Sequence, residues 1–159
     1  TAENLLYTDP VESHVYVMDR KSGEQKVFEA DSRFTKNVAE KCESGNYEQW
    51  ERHNIENPHF YDLMYLPQTG MYARLHFGGI EFDATRDILN LMDDRDLYLT
   101  FFDKDFVVVG EAKLPSHRYN YFTGWMETND GVALFVDNSL DENEKTEELV
   151  LDIVRLQAD

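Results

Sequence analysis

Cysteine occurs once in this chain, at Cys42, so no internal disulfide can form, and no CxxC pair is present for metal or redox work. That scarcity leaves the compartment open. No apolar run approaches the ~18 residues of a membrane-spanning helix, so insertion of the chain itself into a bilayer is not expected. Basic residues are also few: 15 Lys and Arg stand against 32 Asp and Glu, a formal net charge of -17. A field of that sign repels phosphate backbones and excludes nucleic acid as a partner. It offers none of the Lys/Arg clusters that recruit anionic lipid. Solubility is the plain reading of so acidic a surface. GxSxG, P-loop and dinucleotide glycine motifs are missing, and the five histidines (His14, His53, His59, His76, His117) show neither HxH nor HExxH spacing. The chain starts at Thr1, without methionine, signal peptide or lipid-attachment cysteine, as expected of a processed protein or of a piece of something longer.

What is present is the material of a core. Hydrophobic residues make up 42% and aromatics 13% of 159 residues, enough for one ordinary domain that buries roughly 70% of its unfolded surface. The clearest local signal is "LYLTFFDKDFVVVGEAKLP" (97–115). Leu97, Leu99 and Phe101 alternate with Tyr98, Thr100 and Phe102, so both faces are apolar, as in a strand buried between neighbouring sheets. "DKD" supplies a turn, β-branched residues run back, and Pro115 stops the second strand.

The same grammar recurs along the chain. "HVYVMD" (14–19) and "QKVFEA" (25–30) flank a loop in which Gly23 can take a positive φ. "HFYDLMYLP" (59–67) and "GMYARLHF" (70–77) form another pair, as do "FTGWMET" (122–128) and "GVALFVD" (131–137). "EELVLDIVRL" (147–156) reads as a strand with Leu149, Leu151 and Ile153 on one side. Residues 35–58 and 80–95 interrupt the pattern as insertions, with helical turns expected at Val38–Cys42, at Tyr47–His53 and within 83–94. Strands at 59–66, 70–77, 96–102 and 106–113 make a four-stranded meander, with a partial copy before it and another after it. Meanders repeated radially are the plan of a β-propeller. The expected fold is all-β: a single domain, 1–159, of antiparallel four-stranded meander blades at about 1–34, 59–115 and 119–159. Two and a half to three blades are too few to close a ring, so this is a partial propeller.

The strings "YDLMYLPQTGMYARLHF", "LTFFDKDFVVVGEAKLPSHRYN" and "METNDGVALFVDN" resemble the six-bladed β-propeller lipoproteins of Bacteroidetes, over about residues 59–156. In residues 1–58 only "VYVMDRKSGEQKVF" matches, and that hairpin is generic. The resemblance implies the carboxy-terminal half of a longer propeller. It also implies a cell-envelope location, periplasmic or surface-exposed, with a lipid anchor when full length. It says little about activity.

Among candidate sites, "SHRYNYFTGW" (116–125) has the character of a binding cluster. His117, Arg118, Tyr119, Tyr121 and Trp125 are side chains that stack on sugars or anchor protein partners, although Tyr121 and Trp125 could equally wedge between blades. Asp137, Ser139, Asp141, Asn143 and Glu148 fall at positions 1, 3, 5, 7 and 12 of a calcium-loop template. Its sixth position is Glu142 where the template requires glycine, and a solvated acidic loop explains the same residues. Asp93, Asp94 and Asp96 could perform acid/base work by mutual repulsion, or could form a solvated connection. Cys42 reads as an idle thiol, and Arg74 as the partner of a buried carboxylate.

Taken together, the residues and the envelope location that the resemblance implies point to a non-catalytic binding or scaffold protein of the bacterial envelope, without a required cofactor unless calcium fills the acidic loop. A protein or a glycan is the expected partner. The alternative is a carbohydrate-active propeller enzyme using channel-mouth carboxylates. Sheet edges left open by incomplete blades are expected to meet further chain or another copy.

Overall fold

The computed structural model describes residues 3–42, 45–120, 124–141 and 148–156. It contains three antiparallel sheets, formed in chain order. The first joins β1 (Asn4–Thr8), β2 (Val15–Asp19) and β3 (Gln25–Phe28). The ten-residue helix α1 (Tyr47–Glu56) follows, capped by the Asn46 side chain, which accepts from the Gln49 amide. The central sheet is ordered β4 (His59–Phe60), β6 (Met71–Phe77), β7 (Leu97–Phe102) and β8 (Val108–Lys113), with β5 (Met64–Leu66) also paired to β6. A short helix α2 (Ile88–Asp93) sits in the β6–β7 connection. The last sheet is ordered β11 (Leu151–Val154), β10 (Gly131–Phe135) and β9 (Trp125–Thr128).

The central sheet carries the fold because every residue of β7 is buried. Register explains how its two faces differ. Leu75 opposes Leu99 and Phe77 opposes Leu97, and this face packs with Val132 and Leu134 of the last sheet. Tyr72 opposes Phe102, Arg74 opposes Thr100 and His76 opposes Tyr98 on the other face, which is turned to the first sheet. There Phe102 and Phe106 pack with Val15 and Ala30. One interface is thus almost wholly apolar, and the other is laced with polar side chains.

The expected all-β class and antiparallel hairpins are found, as sheets whose edges stay open. Two local expectations are revised. The strand foreseen over 59–66 splits into β4 and β5: Tyr61 N still bonds Leu75 O, and beyond it Asp62 accepts from Thr8 Oγ1 of the first sheet. No helix forms at Val38–Cys42; Val38 instead makes an antiparallel bridge with Glu12, and Ala39 N donates to Val11 O. Among the described residues no helix is long and apolar enough to cross a membrane.

Candidate functional site

The 116–125 segment crosses from the central sheet to the last one, and its side chains are absorbed by specific partners. Arg118 lies against Asp152 of β11 in a two-pronged contact, Nε to Oδ2 at 2.5 Å and an Nη to Oδ1 at 2.9 Å. The Tyr119 hydroxyl donates to the same carboxylate at 2.7 Å. The Arg118 bond, backed by the Tyr119 hydroxyl, holds Asp152 below the usual carboxylate range, and burial with the Asp152 contact pushes the Tyr119 phenol up. His117, at a positive φ of 55°, places Nε2 2.8 Å from Asp94. Asp94 also accepts from Arg86 at 2.7 Å, and these two contacts, Arg86 first, keep its carboxyl ionised. Trp125 is half-buried against the apolar core. Tyr121 lies outside the described residues. The structure therefore brings Arg118 and Tyr119 together at one carboxylate and sends His117 to another.

The acidic loop behaves similarly. Asp137 accepts from Asn120 at 3.1 Å, and Ser139 donates to Asp93 at 2.5 Å. Asn138 between them is fully buried, donating to the carbonyls of Asp93 and Tyr119. Asp141 closes a turn through its amide to Asn138 O, Glu148 is exposed, and Asn143 lies outside the described residues. Among the described residues no three His, Cys, Asp or Glu gather closely enough to hold a metal ion. Of the three neighbouring aspartates, Asp93 serves Ser139, Asp94 serves Arg86 and His117, and Asp96 takes Lys113 and Ser116.

The polar strip between the first and central sheets was not singled out from the residues, apart from Arg74. Arg74 is fully buried and donates to Ser13 O and Ala30 O, each at 2.7 Å, so its partners are carbonyls of the segments flanking β2 and β3 and not a carboxylate. Its guanidinium also lies over the rings of Phe60 and Phe102, at 4.8 and 5.3 Å. Burial lowers its pKa to about 10, against the opposing pull of Asp31 and Glu111. His76 is wholly enclosed between the rings of Phe60 and Tyr98, stacked at 5.2 and 5.1 Å. Neither ring nitrogen has a hydrogen-bond partner, and burial, aided by Arg74, depresses its pKa to about 3. The signal was available: in "YARLHF" two polar side chains, Arg74 and His76, alternate with Ala73, Leu75 and Phe77, which puts both on one face of a buried strand.

These features define an all-β protein whose described residues form three stacked antiparallel sheets, joined by the buried Arg74 and by shared carboxylates. The chain belongs to the family described as "Domain of unknown function (DUF4221)", which matches residues 1–113. Its fold is similar to the crystal structure, at 1.75 Å resolution, of a member of that family from Bacteroides vulgatus, with a TM-score of 0.74 and 20% identity. The similarity covers 94% of this chain and 41% of that one, so this chain spans about two fifths of the solved relative's length. No curated protein matches it.

Proposed function

We propose that the chain is part of a β-propeller and serves as a non-catalytic binding or scaffold protein of the bacterial cell envelope. The observation that carries this reading is the central sheet, covered on one face by the sheet before it in sequence and on the other by the sheet after it. That is how consecutive propeller blades pack. The outer sheets keep apolar residues on their far faces, with Leu5 48% and Val27 52% exposed at one end, and Leu151 45% and Ile153 48% at the other. Such faces suit further sheets stacked at both ends, in keeping with the greater length of the solved relative. A scaffold role is supported by the polar clusters, in which Asp152 and Asp94 are each engaged by two partners that lock connections in place.

Fractionation of the complete protein in a Bacteroides host tests the location. Recovery with envelope membranes, released by detergent and not by salt, is expected; recovery in the cytosol overturns it. Reducing-sugar release from polysaccharides incubated with the protein is expected to stay at the buffer level. Release above it overturns the non-catalytic reading.

A further inference from the structure

The first and central sheets do not stay in contact along their whole length. Near the β2–β3 and β5–β6 turns they splay apart and leave a groove of about 950 Å³, within the range of small-ligand sites. Both walls are built from those sheets and their adjoining turns, and their chemistry differs.

The wall from the first sheet changes character along its inner face. Val15 is fully buried and Phe28 half-buried at the closed end. Next comes the cross-strand row Leu6, Val17 and Lys26, and finally Asn4 opposite Asp19, with Glu24 beside them at the mouth. Hydrogen-bonding groups therefore line the outer part of this wall. The amides of Ser22 and Lys21 donate to the Asp19 carboxylate, lower its pKa and fix its position.

The facing wall is aromatic. Tyr65 stands over Tyr72 with centroids 5.3 Å apart, Tyr72 meets Phe106 at 5.0 Å, and Phe106 meets Phe28 at 5.0 Å at the base. Tyr65 is 51% exposed, so much of its ring is open to solvent. Phe106 adopts a φ of 61°, uncommon for a bulky side chain, within a turn held by Asp103, whose Oδ1 accepts from the amides of Asp105 and Val107 at 2.8 and 2.9 Å. Phe106 is thereby held at the base of the aromatic wall, and a ligand would find that ring already placed.

A wall that is polar at its mouth, facing an aromatic wall, suits a molecule that is apolar on its faces and hydroxylated around its rim. A pyranose ring has that geometry: its C–H face stacks on an aromatic ring, while its hydroxyls bond carboxylate, amide and ammonium groups at the side. We propose that this groove binds a neutral oligosaccharide, with Tyr65 and Tyr72 as the stacking platform and Glu24, Lys26 and Asn4 as the hydroxyl partners. The net charge of -17 disfavours acidic sugars, so the ligand is neutral. The groove deepens the binding reading above and rests on it.

Isothermal titration of the complete protein with neutral gluco-, xylo- and manno-hexaoses tests the site. Saturable binding of at least one is expected, weakened roughly ten-fold by Tyr65→Ala, the loss of one stacked ring, and several-fold by Lys26→Ala. Both side chains are exposed, so melting temperatures of the variants should match wild type. Tyr47→Ala, removing an exposed ring on α1, should leave binding unchanged. No binding of any of the three at about 10 mM overturns the carbohydrate site, as does binding insensitive to both groove variants. Envelope recovery alongside that failure removes the sugar alone; cytosolic recovery removes the envelope reading whatever the titration gives.

Discussion

His76 Nε2 lies 3.8 Å from Glu111 Oε1, with both side chains 1% exposed, too far for a hydrogen bond and too close for indifference. The Glu111 carboxylate is occupied elsewhere, accepting from Thr100 Oγ1 at 3.2 Å and from the Arg33 amide at 3.0 Å. His76 also faces Arg74 on its own strand and Tyr98 on β7. Its folded pKa of about 3 lies below the unfolded value of about 6.5. The unfolded chain therefore binds the extra proton first, so the neutral histidine's stability is complete above pH 6.5 and drains away toward pH 3. Urea unfolding should show His76→Phe losing less stability than wild type between pH 7 and pH 4, by up to roughly 3 kcal/mol. Equal losses in the two proteins would show that this ring does not titrate as argued.

Arg74 reaches the first sheet from the second, and its two 2.7 Å bonds satisfy carbonyls that no strand partner serves. Arg74→Ala removes both donors and leaves a void between Phe60 and Phe102, an expected cost of about 3–5 kcal/mol. Arg74→Met restores most of the volume and should cost measurably less, though the carbonyls remain unsatisfied. Chemical denaturation of the two variants side by side separates packing from hydrogen bonding.

The loop after β6 is seated on the end of α1, where Ile80 N donates to Ile55 O at 2.9 Å. A β-carbon at Gly79 would fall 2.1 Å from Glu56 O, a backbone atom that cannot swing aside. Gly79→Ala should destabilise by about 1–3 kcal/mol. Gly45→Ala meets only the end of the Gln49 side chain at 3.7 Å, and should stay within about 0.5 kcal/mol of wild type by thermal melting.

Local alternation was enough to place the hairpins. Leu97 to Phe102 announce a strand covered on both sides, and the turn residues at Gly23 and Asp103–Asp105 fall where the chain reverses. Side-chain partners were beyond reach because they are far apart in sequence. Arg118 meets Asp152, 34 residues on, through a register set by β10 and β11. Arg74 reads as a cation in need of a carboxylate, and finds carbonyls 61 and 44 residues away. The Val38 segment has helix-compatible residues, yet pairing with Glu12 wins, a long-range contact that no local pattern encodes. The groove is equally invisible, since Tyr65 and Lys26 share it only through the splay of two sheets.

Asp152 offers the sharpest test of the connection between the central and last sheets. It is half-buried, receives Arg118 on both oxygens and Tyr119 on one, and so fixes β11 to the chain leaving β8. Asp152→Asn keeps the shape, removes the charge and presents an amide to a guanidinium. A cost of about 1–3 kcal/mol is expected, the range for a charge-assisted pair in a partly buried setting. The acid dependence follows from the lowered carboxyl pKa: stability is present above the ordinary carboxylate value and lost as pH falls through the depressed one, so it begins only at the acid end of the His76 window. Tyrosine titration followed in the ultraviolet supplies a second readout, because one phenol held up by burial and by Asp152 should ionise earlier in the variant. An unchanged titration curve together with unchanged stability would mean that Asp152 does not hold this connection.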